Sequence, residues 1–425
     1  SGYSVSLSEN GSVVAIGANQ NDGNGTWSGH VRIYQNVADT WTQVGDDIDG
    51  EAPGDRSGRS ISLSADGSVV AIGAIGANKN DDNGSDSGHV RIYQNVAGTW
   101  AQVGDDIDGE AAGDYSGYSV SISADGSIVA IGAPRNSNED GAYSGHVRIY
   151  KNVADTWTQI GDDIDGEAAG DESGTSVSLS DDGSIVAIAA TDNDGNGSSS
   201  GHVRIYQNIA GTWTQVGDDI DGEAAGDTSG SSVSLSSDGS RVAIGAIKND
   251  GSGSNSGHVR IYDNIGGVWT QVNSDIDGED KRDELGYSVS LSGDGSIVAI
   301  GAPQNDGENG DTSGHVRVHT SNADTIAPTL SSSSPTDNST GFSVGNNIEL
   351  NFSEVVDAES GNIVIKKSSD DSIVEALDVT GSRVKGSGTS QITINPSRSL
   401  LALTEYYIQI DATAFDDVAG NSYAG

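Results

Sequence analysis

Along the first three quarters of the chain, apolar and polar positions alternate in short runs that return at a nearly constant spacing. The run SVSLS places Val and Leu on one side and Ser on the other, which is the period-two pattern of a half-buried strand. It recurs in six copies, opening at SGYSVSLS (Ser1), SGRSISLS (Ser57), SGYSVSIS (Ser116), SGTSVSLS (Ser173), SGSSVSLS (Ser229) and LGYSVSLS (Leu285). The Gly of each opening stands at Gly2, Gly58, Gly117, Gly174, Gly230 and Gly286, so the step is 56 to 59 residues.

Each copy predicts four strands. After SVSLS, a tight turn such as Ser64-Ala65-Asp66-Gly67-Ser68 suits a hairpin. The second strand, as in Val69-Val70-Ala71-Ile72-Gly73-Ala74, is apolar almost throughout and is expected to be buried on both faces. A Gly/Asn/Asp loop leads to the third strand, SGHVRIY. The fourth, WTQVGDDI, is the most polar and runs into an acidic turn, DGEAAGD, that delivers the chain to the next copy. No helical period is sustained. Four antiparallel strands at this spacing predict an all-β fold: a β-propeller of six visible blades over residues 1–322, with a seventh upstream left open. The sixth copy stops after His319 without a WTQ strand, and the expectation is that upstream sequence supplies it, so that the chain is an internal piece of a longer protein.

The pattern changes near Asp324. Residues 323–329 read as a linker, and 330–425 carry longer alternating runs, NIELNFSE, GNIVIKK, SQITINPS and EYYIQIDATAF, that predict a β-sandwich of about 100 residues. All three Phe, at Phe342, Phe352 and Phe415, lie in this segment.

Charge narrows the partners. Asp and Glu number 63 against 20 Lys and Arg, a net charge of −43, of which 35 fall before residue 326. A phosphate backbone needs clustered Lys and Arg, so nucleic acid is excluded as a partner. No run approaches the roughly 18 apolar residues of a membrane helix, and no membrane insertion is expected. With no Cys, disulfides, thiolate catalysis and sulfur-ligated zinc are also excluded.

The repeats resemble the FG-GAP repeats of integrin-like propellers found in large bacterial surface proteins. The GAP half survives at Gly132-Ala133-Pro134 and Gly301-Ala302-Pro303, while Ser or Leu precedes the Gly in place of Phe, as in Ser116-Gly117 and Leu285-Gly286. The segment after the linker resembles the bacterial Ig-like domains of S-layer and adhesin proteins, above all in AFDDVAGN (Ala414 to Asn421). The resemblance implies an extracellular or cell-surface protein that adheres or binds a ligand, held among neighbouring domains of one long chain. The integrin-type calcium loop lies in the hairpin between the first two strands; here that hairpin is only SADGS, too short to wrap a cation.

Four repeated features are candidates for function. The loop after the second strand carries Asp22, Asp82, Asp140, Asp194, Asp250 and Asp306 beside Asn and Gly, the hard-oxygen set calcium takes and also the residues that make good turns. The inter-blade turn carries Asp47, Asp49, Glu51, Asp106, Asp108 and Glu110 and their repeats. Such close carboxylates call for calcium or for Arg, and Arg32, Arg91, Arg148, Arg204, Arg260 and Arg317 recur on the third strand. An Arg–carboxylate ladder between strands three and four is the preferred reading, with calcium the alternative. One His per blade, His30, His89, His146, His202, His258 and His315, reads as blade packing or hydrogen bonding, since the blades should keep these residues apart. Trp41, Trp100, Trp157, Trp213 and Trp269 suit sugar stacking or blade-edge packing equally, whereas Trp27 occurs in one loop only and is the better exposed contact.

No carboxylate pair or nucleophile stands outside the repeat, so catalysis has little to rest on. The leading expectation is a non-enzymatic adhesion or ligand-binding module for a surface glycan or protein. A purely structural unit of a surface layer or filament is the alternative, and a glycan-cleaving propeller enzyme is the third reading.

Overall fold

The computed structural model describes residues 1–76, 83–138, 140–306, 312–320, 327–341, 345–397, 400–417 and 421–423, and none of these is helical. The chain divides into two compact units, Ser1–Gln271 with Asp275–Asn322, and Val272–Ser274 with Ala323–Gly425.

The first unit is a propeller whose blades follow the repeat. In blade 2 the strands Ser60–Leu63, Val69–Ala74, His89–Val96 and Thr99–Gln102 pair antiparallel in sequence order. The four expected strands are joined by a fifth that the sequence did not announce: Ile107–Asp108 turns back to pair with His89 and Val90. The cause is a difference in length. The third strand has eight residues, the fourth covers only Tyr93 to Val96, and the chain leaving the GDD turn caps the edge that remains. Blades 1 to 5 share this arrangement, and blade 6 consists of Ser288–Leu291, Ile297–Ala302 and His315–Thr320.

The second strand of blade 2 is buried at all six positions, as its apolar run requires. Ile61 and Leu63 on the inner strand pack against Val13, Ala15, Val31 and Ile33 of blade 1, and equivalent clusters fill the later junctions. Serines of the SVSLS run stitch the inner strands together. The hydroxyls of Ser6, Ser62, Ser121, Ser178 and Ser234 accept the backbone N–H of Leu63, Ile122, Leu179, Leu235 and Leu291 in the following blade at 2.9–3.0 Å. Blades also approach closely at Gly73, where an added Cβ would run into the backbone of Gly117. That crowding accounts for the small residues of the GAP-like signature.

The end blades differ. Val5 and Leu7 of blade 1 are 56% and 57% exposed, against 9% and 7% for Ile61 and Leu63 at the same positions of blade 2. On blade 6, Val316 and Val318 are 69% and 66% exposed, where their counterparts Val31 and Ile33 are buried. The outward faces of these two blades therefore remain apolar and solvent-facing.

The second unit is a two-sheet sandwich. One sheet is built on the long strand Ile348–Ala358, flanked by Leu330–Ser334 and Thr389–Ile394, with Phe415–Asp417 and Val384–Lys385 at its edges. The other orders Ile373–Asp378, Asn362–Lys367 and Tyr406–Ile410. Ile348, Leu350, Phe352, Ile363, Ile365 and Phe415 fill the space between them, with Phe352 tilted against Phe415 at 5.4 Å and edge-on to Tyr423 at 5.2 Å. Phe342 and most of the expected linker lie outside the described residues.

Candidate functional site: blade junctions and the axial mouth

The run HVR places His and Arg on the same side of the third strand, because side chains two apart share a face. Both enter the junction with the preceding blade. Arg91, Arg148, Arg204, Arg260 and Arg317 donate to the backbone carbonyls of Asp49, Asp108, Asp165, Asp221 and Asp277, each one blade earlier, at 2.6–2.8 Å. Arg91, Arg148 and Arg204 also pair with Glu51, Glu110 and Glu167 at 3.4–3.6 Å. The ladder expected between strands three and four is thus replaced by a clasp between blades. Among the described residues it survives only in blade 1, where Arg32 grips both carboxylate oxygens of Asp47 at 2.9–3.0 Å.

Each buried His meets the same turns. His30 lies 3.5 Å from Asp47 and 3.9 Å from Asp49. His89 gathers Glu51 and Asp106, and His146 stands 3.6 Å from Asp163 and 3.9 Å from Glu110. His202 repeats this with Asp219 and Glu167, and His258 with Asp275 and Glu223. The histidines do sit in separate junctions, but each is joined to two carboxylates. Asp106 and its equivalents are themselves held by a Gln four residues earlier, as Gln102 holds Asp106 at 2.6 Å. Burial, then the neighbouring Arg, lowers His146 and His202 to a pKa of about 4, so both imidazoles are neutral at neutral pH.

The loops after the second strand spend their acids locally. Asp22, Asp194, Asp250 and Asp306 each accept the N–H of Trp27, Ser199, Asn255 and Thr312 at 2.7–2.8 Å, the turn-forming role of such residues. The Asp140 N–H donates to Asn138, and Asp82 lies outside the described residues. Among the described residues, groups of three potential metal ligands occur at the junctions and not in these loops.

The outer-strand Trp residues pin blade edges. The indole N–H groups of Trp100, Trp157, Trp213 and Trp269 donate to the carbonyls of Val44, Val103, Ile160 and Val216 in the preceding blade at 2.8–3.0 Å. Trp41, in blade 1, is half-exposed. Beside Trp157 lies a depression of about 300 Å³ lined by Asp105, Asp106 and Tyr150.

A cluster that sequence reading missed lies where the inner strands begin. The residue after each opening Gly is Tyr3, Arg59, Tyr118, Thr175, Ser231 or Tyr287, a position that differs among the copies. The inner strands of a propeller face its central channel, which puts these positions at one mouth of it, and Tyr3, Arg59, Tyr118 and Tyr287 lie close enough to interact. The Arg59 guanidinium sits 4.9 Å from the Tyr3 ring and 4.1 Å from the Tyr118 ring. Partial burial and the Tyr3 phenol push the Tyr287 hydroxyl above its usual range, while Arg59 pulls it down. Three residues before Arg59, Arg56 stacks on Trp27 at 5.4 Å, and Arg135 stacks on Tyr115 at 4.8 Å. Blades 4 and 5 present only Thr175 and Ser231 at the mouth, so the bulky residues are confined to one side.

Comparison with known proteins agrees with this architecture. Residues 274–318 match the FG-GAP repeat family, and residues 324–425 match the bacterial Ig-like domain family. No curated protein sequence matches the chain. Among solved structures, a putative 6-phosphogluconolactonase from Bacteroides uniformis is 11% identical with a TM-score of 0.51, over 76% of this chain and 86% of its own. The periplasmic gluconolactonase of Pseudomonas aeruginosa is 13% identical with a TM-score of 0.48, over 92% and 87%. Hydrazine synthase of Kuenenia stuttgartiensis is 14% identical with a TM-score of 0.46, over 71% and 73%. At these identities the likeness concerns the fold alone. The chain is a β-propeller of FG-GAP-like repeats followed by a bacterial Ig-like domain.

Proposed function

We propose that the protein is a non-enzymatic, extracellular binding module that takes a surface glycan or protein ligand at the axial mouth of its propeller. FG-GAP repeats and bacterial Ig-like domains are typical of surface proteins, which supports the location. The observation that carries the reading is Arg59 held between Tyr3 and Tyr118, at a repeat position that differs among the copies. Residues shared by every copy maintain the blades, so recognition falls to those that are not shared. Tyr rings offer stacking faces, and Arg offers a fork for a carboxylate, which fits an acidic sugar or an acidic protein segment. In a propeller so strongly negative, an arginine at the mouth is a selective anchor for such a group. Trp27 with Arg56 extends the same surface.

The likeness to lactonase structures brings no catalytic set with it, because the carboxylates here recur in register and are engaged in blade-to-blade contacts. The test is a glycan array with a pull-down from surface extracts, run with the wild-type chain and Arg59→Ala. Binding that falls in the variant supports the reading. Turnover of a lactone or glycoside that a single carboxylate substitution abolishes would replace it with an enzyme.

A further inference from the structure

We propose that the blade junctions are binding sites for a divalent transition cation of the zinc class, held by a glutamate of one blade and by the histidine and aspartate of the next. The junction between blades 4 and 5 shows why. The His258 side chain is 1% exposed, and its Nδ1 has no hydrogen-bond partner. That nitrogen points between two carboxylates, 3.6 Å from Glu223 Oε2 and 3.6 Å from Asp275 Oδ2. Both distances exceed a hydrogen bond, and a buried polar atom left unpaired is costly. Tetrahedral zinc with bonds of about 2.0–2.1 Å sets its donors roughly 3.3 Å apart. Closing each nitrogen–oxygen distance by a few tenths of an ångström therefore brings the unpaired imidazole nitrogen and one oxygen of each carboxylate to ligand spacing, with a fourth position left for water.

The surroundings already orient these groups. Gln271 donates to Asp275 at 2.6 Å, and Asn249 donates to Glu223 at 3.3 Å, as outer partners of metal ligands do. Arg260 supplies one positive charge against the two carboxylates and spends a donor on the Asp221 carbonyl, so negative charge remains for a cation to offset. A buried imidazole nitrogen among the donors favours a transition ion over calcium, which takes oxygen ligands.

The same triplet recurs as Glu51, His89 and Asp106, as Glu110, His146 and Asp163, and as Glu167, His202 and Asp219. Blade 1 breaks the pattern. Its set is His30, Asp47 and Asp49, within one blade, and Arg32 already occupies both oxygens of Asp47. Four of the five sets should then bind an ion. None of these ligands belongs to the axial mouth, so this proposal and the proposed function fail or stand separately.

The test uses the full, untagged 425-residue chain, stripped with chelator and titrated calorimetrically with Zn²⁺ and, separately, Ca²⁺. Four equivalents of Zn²⁺ are expected, with a raised melting temperature and intense visible bands when Co²⁺ is substituted. Glu223→Gln and Asp275→Asn should each lose one equivalent while keeping the wild-type circular dichroism. Should either variant misfold, Glu167→Gln offers the same loss at another junction. No Zn²⁺ uptake, equal uptake of Ca²⁺, or four equivalents retained in the variants would overturn the proposal.

Discussion

Leu63 and Leu7 occupy the same repeat position and differ only in whether a blade lies across from them. Leu63 is 7% exposed and packed against blade 1, whereas Leu7 is 57% exposed. Truncating a buried Leu to Ala costs about 2–5 kcal/mol, through lost transfer energy and the cavity left behind. Leu63→Ala should fall near the middle of that range, at about 3 kcal/mol, because the side chain is almost fully enclosed but sits at a junction that can partly relax. Leu7→Ala should cost under about 0.5 kcal/mol, as exposed substitutions do. All six Trp belong to the propeller and none to the sandwich, so tryptophan fluorescence during urea unfolding follows the propeller by itself. Comparing midpoints at matched slopes guards against the loss of two-state behaviour in repeat arrays. An equal cost for the two variants would show that the face of blade 1 is covered in solution. A negligible cost for Leu63→Ala would show that packing between blades does not carry the stability.

Trp157→Phe keeps the ring but strips Val103 of its indole donor, so it should cost about 1 kcal/mol in the same assay, while Trp41→Phe should cost nothing measurable. Blade 5 alone has Arg241 and Asp263, directly paired across two strands, where other copies carry Val or Ile opposite Gln, Lys or Thr. Asp263→Gln should destabilise by roughly 1 kcal/mol, and adding Arg241→Val should recover most of it; additive losses in this cycle would remove the coupling. Stability should also fall on acidification. His146 and His202, lowered to about 4 chiefly by burial, stay neutral in the fold but protonate near 6.5 when unfolded. Their contribution is complete above about pH 6.5 and is lost as pH drops toward 4, up to roughly 3 kcal/mol each. Glu110 and Glu167, raised chiefly by burial, take up their protons earlier in the fold than in the unfolded chain, so they act in the opposite sense and soften the decline. A urea midpoint that stays constant from pH 7 to 4.5 would contradict this assignment.

The blade was legible because its signals are local. SVSLS fixes which side chains face the next blade, and the six-residue apolar run fixes a strand covered on both sides. The fifth strand was not, since Ile107–Asp108 is two residues inside an acidic turn and forms only because the longer third strand leaves an edge to cap. The reach of Arg91 was hidden for a related reason. Its acceptor lies 42 residues away in the preceding copy, while an acid of its own blade is nearer in sequence. The mouth was missed because the position of Tyr3, Arg59 and Tyr118 looks like noise within a repeat. In an array of nearly identical copies, the position that departs from the consensus is the signal. Arg241 and Asp263 carry the same lesson, as two departures in one copy that prove to face each other.

The most direct test of the account is an affinity map made with the strongest ligand from the array. Dissociation constants would be measured for Tyr3→Ala, Arg59→Ala, Tyr118→Ala and Tyr287→Ala, beside repeat-position variants Trp157→Phe and Arg204→Lys. Losses of roughly ten-fold or more are expected at the mouth, strongest at Arg59, and changes within about two-fold at the repeat positions. The reverse pattern, with affinity lost at the repeated junctions and kept at the mouth, would contradict it.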